Sequence, residues 1–141
     1  MKSAAFSAKN VLVVRLERGE EIVSSVLAFA RRQEIRAGSV SGIGAISGAV
    51  IGFFNPETKA YREIAFSEPL EILSLTGNLS TKDGVPYVHL HASLGRENGQ
   101  AVGGHLVSAT VSATAELIFQ PLDGTLERQF SEEIGLNLLK L

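Results

Sequence analysis

The apolar positions of this chain fall into short alternating or continuous runs, interrupted by one stretch at helical spacing. Residues 10–17, NVLVVRLE, have the β-branched character and length of a largely buried strand. Between residues 20 and 34, Ile22, Val23, Val26, Leu27, Phe29 and Ala30 recur at helical spacing and predict an amphipathic helix opened by Gly19. Glu20 and Glu21 at its start and Arg31 and Arg32 at its end complement the helix dipole, a simpler account of those arginines than a phosphate contact shared with Arg36. Residues 38–54, GSVSGIGAISGAVIGFF, alternate small residues with Val, Ile and Phe and predict a glycine-rich strand pair or one bulged strand. Asn55-Pro56-Glu57-Thr58 predicts a turn before a strand at 60–66, and Glu68-Pro69 punctuates the chain before another at 70–79. Asp83-Gly84 is a hairpin signal that makes this strand the antiparallel neighbour of the next, and Arg96-Glu97-Asn98-Gly99 is the following turn. Beyond it, Val111, Ala113, Ala115, Leu117 and Phe119 alternate with Ser112, Thr114, Glu116 and Ile118 along one long strand. Asp123-Gly124 leads to a last short strand near 125–130, and the tail IGLNLLKL is apolar enough to pack on something.

One helix among seven or eight strands, most joined by hairpin signals, predicts an α+β domain on an antiparallel sheet. No linker or repeat divides the 141 residues, so a single domain over 1–141 is expected. Composition is ordinary globular, 45% hydrophobic and 20% charged, which argues against disorder. The net charge of −2 gives no general attraction to phosphate backbones, so any nucleic acid would need a local patch. Cysteine is absent, no apolar run reaches the length of a signal core or a membrane span, and a soluble, cytoplasmic protein is expected. Gly42-Ile43-Gly44-Ala45-Ile46-Ser47 lacks the third glycine of a dinucleotide fingerprint and the Gly-Lys-Ser/Thr of a P-loop, so no nucleotide cofactor is expected.

The chemistry concentrates in residues 87–106, YVHLHASLGRENGQAVGGHL, which contain His89, His91 and His105, all the histidines of the chain. On a strand, Tyr87, His89, His91 and Ser93 share one face, and Val88, Leu90, Ala92 and Leu94 the other. Two imidazoles therefore stand side by side on a strand with an apolar back. Gly103-Gly104 allow tight turning where the chain brings His105 back as a third. Three neutral imidazoles with one position left open is the ligand geometry of catalytic zinc. A carboxylate or hydroxyl nearby would orient a ligand or take a proton from bound water, and Glu71, Glu97 and Glu116 are the candidates, with Glu71, Ser74 and Asn78 on the neighbouring strand. The bland alternative is a pair of hydrogen-bonded strand histidines and an unrelated third. A cupin barrel, the first architecture that His-x-His suggests, is rejected because Glu97 falls one position too late and the downstream Pro-x-Gly and His pattern is missing.

Taken together, RLERGEEI at 15–22, GIGA at 42–45, LEILSLTGN at 70–78, HLHASLG at 89–95, GGHL at 103–106 and GLNLL at 135–139 resemble the plants-and-prokaryotes-conserved (PPC) domain family, also described as having a PD1-like DNA-binding motif. The resemblance spans nearly the whole chain and keeps the order of the segments. It implies a compact α+β domain, a homotrimer, and a divalent metal, often zinc, on His89, His91 and His105. It also implies a DNA-associated or regulatory role, although this chain has no Arg-Gly-Arg-Pro segment of the kind plant members insert into the minor groove. Three functions follow: a metal-containing trimeric module with a regulatory or DNA-associated role, a zinc-dependent hydrolase or lyase acting on a small polar substrate, or a protein that binds a small molecule without chemistry.

Overall fold

The structure is a computed structural model, described here for residues 11–141. In chain order its elements are β1 (Leu12–Glu17), α1 (Ile22–Arg32), β2 (Gly38–Asn55), β3 (Ala60–Phe66), β4 (Leu70–Lys82), β5 (Val85–Gly95), β6 (Ala101–Pro121), β7 (Glu127–Ser131) and β8 (Leu136–Lys140). The strands lie in one sheet, ordered β3-β2-β6-β5-β4-β7-β8, with β1 beside β6. Along its first half β2 also bonds β4, so β2, β6, β5 and β4 close on themselves. The pairings are antiparallel apart from a single parallel bridge, Thr81 with Glu127, that carries β7.

Alternation decides what fills this closed unit. Leu90, Ala92 and Leu94 of β5 point inward and are buried, as are Leu75 and Leu79 of β4 and Val111, Ala115, Leu117 and Phe119 of β6. α1 adds Ile22, Val26 and Ala30 from its apolar stripe, all at 1% exposure or less. Its Phe29 ring lies 4.7 Å from that of Phe119. Glu21 caps the helix: its carboxylate accepts from the backbone N–H of Val23 at 2.9 Å and Ser24 at 2.7 Å. It also accepts from the N–H of Ala109 on β6 at 3.2 Å, fixing the helix start to the sheet. Burial pushes this carboxyl up, but the hydrogen bonds from Ser24, Val23 and Ala109 outweigh it and hold the group below the usual carboxylate range.

The two outer flanks of the sheet return toward each other. β3 and β8 lie at opposite ends of the strand order, yet Lys59, just before β3, donates from Nζ to the carbonyl of Glu132 in the β7–β8 turn at 2.7 Å. Gly135 of that turn lies against the Lys59 side chain. The face of β5 opposite the core is therefore flanked by β3 on one side and β7–β8 on the other.

The predicted α+β class, the antiparallel sheet and the single helix match this architecture. The helix is shorter than its pattern, because Glu21 is already the cap and Gln33 ends it. Residues 38–55 are one bulged strand, with pairing shifts at Gly42/Gly44 toward β4 and at three points toward β6. The same irregularity turns Ala113 outward, against its place in the apolar alternation. The apolar tail becomes β8, pairing with β7. Asn10, expected at the start of the first strand, lies outside the described residues. Among the described residues no helix is long and apolar enough to cross a membrane.

Candidate metal centre

The three histidines meet on the outer face of one hairpin. His89 and His91 project from β5, and His105 from β6 as the direct cross-strand partner of His91. One ring nitrogen from each lies within 4.8 Å of the others. The Nε2 atoms of His89 and His91 are 3.2 Å apart, and the ring centroids are separated by 5.0, 5.1 and 5.6 Å. The pair His91–His105 is also where the β5–β6 ladder ends; beyond it β5 pairs with β4, and β6 with β2, β1 and the residues just before α1. The expectation that Gly103-Gly104 turn the chain is corrected here. They lie inside β6, and the turn is made at Arg96–Gly99. What Gly103 supplies is closeness: a Cβ there would sit 2.5 Å from the carbonyl oxygen of Ala92 across the ladder.

The electrostatics favour uncharged rings. Burial, followed by the neighbouring His105, Arg128 and His91, pushes His89 down to about 4. Burial and His91 also lower His105. Neutral imidazole is the form that ligates a metal. The Nδ1 of His105 is buried without a hydrogen-bond partner, a state that costs about 1–3 kcal/mol unless something outside the chain meets the atom. Three converging ring nitrogens, with His89 and His105 held neutral, and one orphaned ring atom fit a divalent cation. Among the described residues no fourth His, Cys, Asp or Glu joins the group.

None of the three glutamates proposed from sequence reaches it. Glu71 pairs with Gly95, about 13 Å along β5 from His91 at the usual strand rise. Glu97 lies in the turn beyond β5, and it shares a cleft with Glu68, Glu71 and Arg96. Glu116 sits far along β6, opposite Arg15. Ser74 pairs with Ser93 and likewise stays away, whereas Asn78 is the direct partner of His89.

Three residues from distant parts of the chain, Tyr61, Glu63 and Arg128, complete the surroundings together with Tyr87 of β5. Tyr61 of β3 lays its ring 5.3 Å from that of His105, over Gly52, where a Cβ would meet the Tyr61 ring at 2.8 Å. Burial, with a smaller contribution from Tyr87, pushes the Tyr61 phenol up, so it stays protonated at neutral pH. Arg128 of β7 lies over the Tyr87 ring at 4.8 Å and donates to Asn78 Oδ1 at 2.6 Å. Glu63 of β3 is opposite Gly52, itself opposite His105, so the register sets an exposed carboxylate about 10 Å away on the same row. Only Tyr87 among these surroundings was marked by the alternation of residues 87–93; Tyr61, Glu63 and Arg128 arrive through the sheet's flanks, which carry no local signature.

Comparison with known proteins now decides the family. The profile of the Plants and Prokaryotes Conserved (PCC) domain matches residues 3–123. The chain belongs to that family. A PCC-like fold is also seen in a metal-containing protein of Archaeoglobus fulgidus, 41% identical over the full length of both chains with a TM-score of 0.94. A protein of Bacteroides thetaiotaomicron described as a candidate DNA-binding protein is 36% identical over 96% of each chain, with a TM-score of 0.90. The bifunctional protein GlmU of Synechococcus sp. (strain JA-3-3Ab) is 36% identical over 125 residues. That match takes in 87% of this PCC chain and 18% of GlmU, so the chain spans less than a fifth of that relative's length.

Proposed function

We propose that this PCC-family chain is a metal-binding protein in which His89, His91 and His105 hold a divalent cation. The observation that carries the proposal is the convergence of three imidazole nitrogens within 4.8 Å on a face that holds two of them, those of His89 and His105, neutral. An all-imidazole set suits zinc better than the oxygen-preferring calcium or magnesium. The likeness to the metal-containing archaeal protein supports the same assignment. Bound there, such an ion would supply Lewis acidity toward an oxygen-bearing ligand. The protein's part is to align the ligands through the β5–β6 register, to keep His89 and His105 unprotonated, and to shield one side of His105 with Tyr61.

A second reading, a zinc-dependent hydrolase or lyase, is favoured by the lack of a fourth protein ligand among the described residues. The DNA-associated role is proposed from the family resemblance and from likeness to the Bacteroides protein. Homotrimeric assembly is proposed from the family resemblance, and the exposed apolar strip of Val13, Ile43, Leu73 and Ile118 supports it as a contact surface.

Elemental analysis of purified protein tests the metal. About one zinc per chain is expected in the wild type, with affinity at least ~100-fold lower in His91→Ala, more than the loss of an outer-sphere partner causes. Unchanged metal content in that variant would remove the site. Titration with duplex DNA at low salt separates the regulatory reading, because phosphate contacts are strongest there and an absence of binding excludes them.

A further inference from the structure

Arg128 is the charged group beside the histidines that metal binding does not use. Its guanidinium is half-buried, and no described carboxylate forms an ion pair with it. It is held instead by neutral acceptors: Nε donates to Ser80 Oγ at 2.9 Å, Nη1 to the carbonyl of Asn137 at 2.7 Å, and Nη2 to Asn78 Oδ1 at 2.6 Å. The Tyr87 ring lies under it at 4.8 Å. Ser80 and Asn78 are the cross-strand partners of Tyr87 and His89, so the guanidinium is fixed over the same face as the three histidines. An arginine carries five N–H donors, and these bonds leave two of them unassigned.

The charge balance of this face is unusual for a half-buried region. Imidazoles bring no negative charge to a metal they hold, so a divalent cation among the three would stand beside a second fixed positive charge. Glu63, the carboxylate in register with His105, belongs to β3, on the other side of the histidine row from β7. Glu127, next to Arg128 in sequence, faces Lys140 instead. A half-buried positive charge without a carboxylate partner suits an anion, and a rigid guanidinium is the side chain best suited to a carboxylate or phosphate group. Tyr61 lies beside His105 and Tyr87 lies under Arg128, so aromatic rings accompany both the histidines and the guanidinium.

We infer that the face shared by the three histidines and Arg128 binds a small oxyanion, a carboxylate or phosphate, and that Arg128 selects for its negative charge. This rests on the metal-binding proposal. The alternative is that Arg128 only pins β7 and β8 to β4.

The test uses the full-length protein loaded with zinc, its zinc content measured first, and titrates acetate, oxalate and phosphate calorimetrically. At least one of these binds the wild type, acetamide binds far more weakly than acetate, and Arg128→Gln loses affinity by about 10- to 100-fold at unchanged zinc content. Arg128→Lys, which keeps the charge, recovers part of that loss. A purely structural Arg128 would leave anion affinity unchanged in Arg128→Gln while lowering the unfolding temperature, and that result overturns the inference. Equal affinity of the wild type for acetate and acetamide, or no binding of any anion by zinc-loaded protein, overturns it without any variant. A chain that takes up no zinc overturns the metal proposal and this one together, whereas zinc without anion binding overturns this one alone.

Discussion

Acid should loosen the metal-free protein through His89 before it touches most of its carboxylates. In the folded chain this ring stays neutral down to about pH 4, whereas an unfolded histidine takes its proton near 6.5. Between those two values the unfolded state binds the extra proton, so stability is complete above about 6.5 and declines as the pH falls toward 4. A displacement of that size corresponds to about 3 kcal/mol at full strength. The ring is only half-buried, so solvent screening reduces the expected loss to about 1–2 kcal/mol. The lowered His105 adds in the same direction. Urea unfolding of chelator-treated protein at pH 7, 5.5 and 4.5 measures the loss, and His89→Gln should remove most of it. Parallel pH dependence in the wild type and His89→Gln would refute the reasoning, because the burial that depresses this histidine could then not be as described. Added zinc should steepen the dependence, since protons and metal compete for the same nitrogens.

Further outcomes follow from particular contacts. Gly52→Ala places a Cβ 2.8 Å from the Tyr61 ring; that side chain is 42% exposed and can swing away, so stability should change by less than about 1 kcal/mol. The lost ring contact should nevertheless bring the His105 titration, followed by NMR, back toward 6.5, and an unmoved titration would show that Tyr61 does not shield it. Glu21→Ala strips the acceptor from the N–H groups of Val23, Ser24 and Ala109 and should cost about 1–3 kcal/mol in urea unfolding, with no effect on zinc content. The proposed trimer is tested by native mass: the wild type should run at three chains and Ile118→Glu, at a position 48% exposed, at one with its fold intact; a monomeric wild type would remove the trimer, and a trimeric Ile118→Glu would move the contact off this strip.

The part of the site that could be read from sequence is the part built by one hairpin. Alternation sets His89 and His91 on one face, and a short turn brings His105 opposite, so strand periodicity and turn chemistry suffice. The Asp83-Gly84 turn likewise fixed which strand neighbours β5 and brought Asn78 into view. The glutamates failed because their distance depends on register along long strands: residues that share a face can still be many strand rises apart. Tyr61 and Arg128 could not be found locally, since β3 and β7 come to this face through the curl of the whole sheet. The glycine-rich segment was legible as a strand pair or one bulged strand, but not as the strand that closes the sheet, because pairing partners on both sides are a tertiary property.

The direct opposition of His91 and His105 has one more consequence. A slip of one residue in the β5–β6 pairing would turn His105 to the apolar side and leave only two imidazoles together. A cation that needs all three would then distinguish correctly aligned molecules from misaligned ones during folding, favouring the former by its binding free energy. In that capacity the proposed ion would act as a proofreader of strand alignment.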